Sequence, residues 1–181
     1  MDPNVLDLMQ KRRSVRAYQA RAVARETIEK CLEAARLAPS ACNSQPWQFI
    51  VVDREPVRSE LAQAAFSGVY AMNNFAAQAP VLIAVLTESS KFMALLAGKF
   101  RGVQYSLIDI GIACAFLSLA AAEEGLGSCL LGWFNEKAIK KVLRLPQNSK
   151  IDILISLGYA AENEKTVKKR KPPGEVWRFA E

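Results

Sequence analysis

Pro39-Ser40-Ala41-Cys42-Asn43-Ser44-Gln45-Pro46 leads through Trp47 and Gln48 into Phe49-Ile50-Val51-Val52. Two prolines enclosing hydroxyl and amide side chains mark a loop, and the branched apolar run after them marks a buried strand. Upstream, Ile28, Cys31, Leu32 and Ala35 recur at the i, i+3, i+4, i+7 positions of an amphipathic helix from about 25 to 38, which Pro39 stops. Helix, polar loop and buried strand thus follow one another within 28 residues, and the rest of the chain is read outward from them.

Toward the N-terminus, Asp2-Pro3 offers a helix start, and Val5, Leu6 and Met9 carry the helix toward the basic run Lys11-Arg12-Arg13-Ser14-Val15-Arg16. Toward the C-terminus, a short helix is expected over 57–65 and a second strand over 81–86, while 87–103 is ambiguous. A helix from about Gln104 to Glu124 is apolar on nearly every side, as for a helix surrounded by protein, and Gly125 suits its cap. Gly127 to Gly132 reads as a short extended piece, Asn135 as the N-cap of a helix to about Leu143, and 151–157 as a third strand. Glu175 to Phe179 alternates polar and apolar residues after a Pro-Pro-Gly break and is expected as an extra strand or an arm. Because helices and strands interleave without regular alternation, an α+β sandwich is favoured over a doubly wound sheet.

The 181 residues, 51% hydrophobic and 23% charged, suit one domain with a substantial core. No run of about 18 uninterrupted apolar residues occurs and no secretory leader is evident, so a cytoplasmic protein with no membrane partner is expected. Four cysteines without a C-x-x-C pair suggest reduced, packing thiols and no metal site, and the absence of histidine excludes His-based triads. A cofactor becomes the more attractive source of chemistry. The net charge of +6 is concentrated near the ends, in residues 11–16 and in Lys165-Thr166-Val167-Lys168-Lys169-Arg170-Lys171. Such clusters serve nucleic acid, an acidic membrane or an anionic ligand, and two of them could meet around one phosphate.

Four segments carry candidate chemistry, and each has a plainer reading beside it. Arg12, Arg13, Ser14 and Arg16 suit a phosphate and a neighbouring electron-rich ring, or a solvated helix end. Ser40, Asn43 and Gln45 can address a ligand's uncharged edges, or satisfy their own loop's backbone. Residues 124–132 supply glycines and amide donors for close approach to a flat ligand, or a helix cap and a strand exit. Lys168 and Arg170 alternate so as to point one way in an extended chain, or form a solvated basic tail.

In this order, the segments Arg12-Arg13-Ser14-Val15-Arg16, Ala38 to Trp47, Gly125 to Gly132 and Lys168-Lys169-Arg170 resemble the FMN-dependent nitroreductase family. The resemblance spans residues 11–171 and implies one domain over 1–181, an α/β sandwich with a central mixed sheet flanked by helices. It further implies an interlocked homodimer with two FMN molecules at the interface, and 159–181 as an arm on the partner subunit. By the same carry-over, Arg12, Ser14, Lys168 and Arg170 hold the phosphate, with Arg13 beside them, and Arg16 lies near the flavin N1 and C2 carbonyl. Pro39, Ser40, Ala41, Asn43 and Gln45 approach the flavin from the partner chain, and Leu131 and Gly132 turn backbone amides toward N5. No side chain is assigned an acid or base role; Arg16 would face the negative charge of a reduced ring.

The expected activity is ping-pong hydride transfer from NADH or NADPH to an electron-poor small molecule: a nitroaromatic, quinone or activated alkene. Flavin fragmentation, reductive dehalogenation, FMN binding without turnover and basic nucleic-acid binding are the alternatives. The last leaves the interior motifs unexplained, and no nucleic-acid partner is expected. Asn73 and Asn74 lie near where larger family members add a contact, and the shortness of 86–105 leaves little room for a cover over the flavin.

Overall fold

The computed structural model describes residues 4–88, 102–161 and 168–180. The helices are α1 (Val5–Lys11), α2 (Arg25–Arg36), α3 (Val57–Ala65), α4 (Tyr105–Glu123) and α5 (Glu136–Val142); the strands are β1 (Trp47–Val52), β2 (Val81–Thr87), β3 (Gly127–Leu131) and β4 (Lys150–Gly158). The strands form one sheet in the order β1-β2-β4-β3. Among the described residues all three ladders are antiparallel, where a mixed sheet was expected; a parallel contact occurs as an isolated bridge between Ser14 and Ser128.

Side-chain alternation builds the two layers around this sheet. Leu82, Ala84 and Leu86 of β2 face one core with Leu61 of α3 and Ile139 of α5. Val81, Ile83 and Val85 face the other with Cys31 of α2 and Cys114 of α4. In β4 the alternation slips at a register shift opposite Val85 and Leu86. Ile151 and Leu154, three positions apart, therefore enter the same core.

Several local expectations change. Helix α1 begins after Asn4, whose Oδ1 accepts from the Leu6 N–H at 3.2 Å. Asp2 and Pro3 lie outside the described residues, as does most of the ambiguous 87–103 stretch. Strand β3 is the fourth strand. Gly125, at φ 75°, adopts the left-handed cap after α4, and Asn135 Oδ1 accepts from the Ala138 N–H at 3.1 Å as the cap of α5.

Among the described residues, helix α4 has one buried and one exposed side. Ile110, Ala113, Cys114, Leu117 and Ala121 are buried, whereas Leu107, Ile108 and Phe116 are exposed in this chain. Its 19 residues are long and apolar enough to cross a membrane by length and composition. Yet Asp109 is buried and bonded to the 39–46 loop, and Ser118 Oγ donates to the Cys114 carbonyl, as in a core helix. The C-terminal residues form a single 3-10 turn, Pro173–Glu175, with Trp177 and Phe179 exposed and no strand within 175–179.

Candidate functional site

The first basic segment follows α1 along the open edge of β3. The Val15 N–H donates to the Ser128 carbonyl at 3.0 Å, and the Tyr18 hydroxyl meets the Val15 carbonyl at 2.9 Å and Ser156 Oγ at 2.8 Å. Edge pairing and this buried phenol fix the backbone from which Arg12, Ser14 and Arg16 project. Arg16 is exposed, its guanidinium carbon 6.0 Å from the centre of the Phe75 ring.

The two terminal basic clusters meet. Lys168 Nζ donates to the Met9 carbonyl in the last turn of α1. Its ammonium is pushed below the usual lysine range by partial desolvation and then by the nearby charges of Arg12 and Arg170. Three cations held together across 158 residues of sequence form a donor set suited to a phosphate. Beside them a cleft of about 170 Å³ runs between Lys11, Arg12 and Arg13 and the α4–β3 junction, with Ser118, Gly125 and Ser128 in its lining.

The proline-bounded loop is held in a strained form. Cys42, Asn43 and Gln45 take positive φ values of 54°, 50° and 48°, which L residues adopt at a cost. Ser40 Oγ accepts from the Gln45 N–H at 2.9 Å, and Gln45 Nε2 donates to Asn43 Oδ1 at 2.9 Å. The Ala41 N–H donates to the buried Asp109 carboxylate, 3.1 Å from Oδ1. Ser40 thus satisfies its own loop, while Pro39, Asn43 and Gln45 remain exposed.

Within one chain this loop does not reach the basic cluster. Asp109 stands in the second turn of α4 and Ser118 and Ala122 toward its far end, so the anchors are about 14–20 Å apart along the axis.

The Leu131–Gly132 exit of β3 is bordered by the 3-10 segment Gly68–Gln78. Asn73 Nδ2 donates to the Trp133 carbonyl at 2.9 Å, and the Trp133 indole N–H donates to the Val69 carbonyl at 3.0 Å. Phe75, from the same segment, is the ring beside Arg16. Among the glycines of this segment, Gly127 serves packing. A Cβ on Gly127 would lie 2.3 Å from Val15 Cγ2, so this glycine admits Val15, whereas Gly132 faces open space.

A family model described as the Nitroreductase family matches residues 9–159. The chain belongs to the nitroreductase family. Among curated relatives, it is 32% identical to an Archaeoglobus fulgidus protein provisionally named NADH dehydrogenase/NAD(P)H nitroreductase, over 88% of this chain and 87% of the relative. It is 30% identical to the iodotyrosine deiodinase of Haliscomenobacter hydrossis, over 85% and 78% respectively. A provisionally named nitroreductase from Exiguobacterium sibiricum, solved in complex with FMN, shares the fold with a TM-score of 0.81, 22% identity and 98% coverage of both chains.

Within this nitroreductase fold, Asp109 and Tyr18 support the candidate site without belonging to a motif. Asp109 carried one legible signal, a lone carboxylate in an apolar helix. Tyr18 carried none, because its partner Ser156 is 138 positions away. Cys31 and Cys114 are pushed up by burial, to about 11 and about 12, as befits packing thiols; Cys129 is also buried, and Cys42 is exposed in the strained loop.

Proposed function

We propose that this nitroreductase-family protein is an FMN-dependent NAD(P)H oxidoreductase acting in the cytoplasm as a homodimer. The observation that carries this reading is the approach of Lys168 to the end of α1, near the charges of Arg12 and Arg170, with Arg12 itself lining the cleft and Arg16 further along the same basic segment. Arg12, Ser14, Lys168 and Arg170 would hold the FMN phosphate, with Arg13 at the rim. Arg16 would place its positive charge against the pyrimidine edge of the ring, and the Leu131–Gly132 backbone would orient N5. The partner's loop would bring Pro39, Ser40, Ala41, Asn43 and Gln45, with Asp109 acting as a positioning residue through Ala41.

When bound, FMN supplies the chemistry these side chains lack: hydride accepted from NAD(P)H and passed to an electron-poor acceptor, with one further proton drawn from solvent. The chain's residues bind, orient and neutralise charge, consistent with a sequence that contains no histidine. The same face of the ring would serve donor and acceptor in turn, so double-reciprocal plots should be parallel; intersecting lines would refute a shared position.

The deciding measurement is the visible spectrum of the purified protein before and after anaerobic addition of NADH or NADPH. A flavin spectrum bleached by either nicotinamide is expected, and a colourless protein would overturn the proposal. Similarity to the H. hydrossis deiodinase supports reductive dehalogenation as a second reading. Halide release from a halophenol supplied with reduced enzyme distinguishes it from nitro or quinone reduction.

A further inference from the structure

Trp133 stands one residue beyond Gly132, and 51% of its surface is exposed. It is nevertheless held firmly. Its indole N–H is spent on the Val69 carbonyl, its own carbonyl accepts from Asn73, and its ring lies 5.2 Å from that of Tyr70 at 45°. All three contacts come from Gly68–Gln78, the segment that also sets Phe75 beside Arg16. Val69 and Met72, each 77% exposed, add apolar surface to the same segment.

Tryptophan is seldom fully buried, but a partly exposed one commonly keeps its indole N–H at the wet end. Trp133 instead has its polar atom satisfied internally and half of its surface open. What the indole can offer a ligand is therefore apolar, electron-rich ring surface and not a hydrogen bond. Such a face is complementary to a flat, electron-poor ring and gains little from a non-planar or non-aromatic molecule. The rigid indole also loses little side-chain freedom when a ligand settles on it.

We propose that Trp133 is the platform on which a planar, electron-poor aromatic acceptor lies, and that it sets the preference for such acceptors over non-aromatic ones. The proposal rests on the oxidoreductase reading above and narrows its acceptor to nitroarenes and quinones. Trp133 is a specificity-determining residue here, placed beside the Leu131–Gly132 backbone proposed to orient N5.

The test uses the FMN-loaded protein as wild type, Trp133→Phe and Trp133→Leu. Without nicotinamide, 4-nitrobenzoate and cyclohexanecarboxylate are titrated by calorimetry, so that binding is read without turnover. Trp133→Leu should weaken 4-nitrobenzoate binding roughly tenfold, Trp133→Phe should recover most of it, and cyclohexanecarboxylate should change less than about twofold in either. With NADH present, the loss should appear in KM for 4-nitrobenzoate more than in kcat. Unchanged binding of both acids, or an equal loss of both, overturns the platform while leaving the oxidoreductase reading intact. A wild-type protein that retains no FMN and takes no electrons from nicotinamide overturns both.

Discussion

Gly127 leaves no room for a side chain, because Val15 fills the place a Cβ would occupy. Gly127→Ala should cost about 1–3 kcal/mol by forcing the Arg12–Arg16 segment off the edge of β3. Urea unfolding and FMN retention should fall together; an alanine variant of wild-type stability would show that the segment can move away freely. The roles proposed for Arg16 and Arg170 differ, and variants should separate them. Arg16→Ala should slow flavin reduction by NAD(P)H, observed by stopped flow, more than it weakens FMN retention, whereas Arg170→Ala should mainly raise the FMN dissociation constant. Equal effects in the two variants would remove the division of roles. The basic and loop residues were legible in the sequence because each motif is contiguous and dense in unusual side chains. Their supports were not: Ala41 and Asp109 are 68 positions apart, and no local pattern announces that contact.

Elements are joined by a second kind of contact. Glu136, in the first turn of α5, accepts from Lys150 Nζ at 2.8 Å and from the Ile151 N–H at 3.1 Å, and pairs with Lys140 at 3.0 Å. Burial opposes its ionisation, but these donors prevail and bring its pKa from 4.5 to about 2. The folded value lies below the unfolded one, so this carboxylate adds stability fully above about pH 4.5 and loses it as pH falls toward about 2. Thermal midpoints of Glu136→Gln and wild type should therefore converge across that window; a constant gap would place the effect elsewhere. Helix α2 was readable from its apolar period, and strands over 49–52, 81–86 and 151–157 from their apolar runs. Strand β3 was seen only as an extended piece, since five residues carry little alternation, and the bulge in β4 arises from pairing that no single strand encodes.

At the level of the whole molecule, the exposed apolar surface is extensive. Leu107, Ile108 and Phe116 on α4, Val5 and Leu6 on α1, and Trp177 and Phe179 in the C-terminal residues are all open in the single chain. A second copy covering the α4 face would bury it and bring the strained loop of one subunit toward the basic cluster of the other. Ile108→Glu should accordingly shift the protein toward monomer in sedimentation velocity and lower its FMN content, because the site would be incomplete. A monomeric variant with full FMN content would show that one chain suffices. The expectation that α4 is enclosed on all sides came from its composition, and the single chain covers one side of it. An apolar sequence records that a helix will be covered, but not whether its own chain or another provides the cover.

Helix α4 joins the anchor of the loop at Asp109 to the cleft at Ser118 and Ala122. It therefore acts as a ruler. Inserting one residue between those points would lengthen the separation by about 1.5 Å and turn one end by about 100° relative to the other. In the proposed homodimer, where the loop of one subunit serves the site of the other, both sites would then lose register even though no residue lining them had changed. Natural length variation compatible with this architecture should fall in the connections between elements and spare the interior of α4.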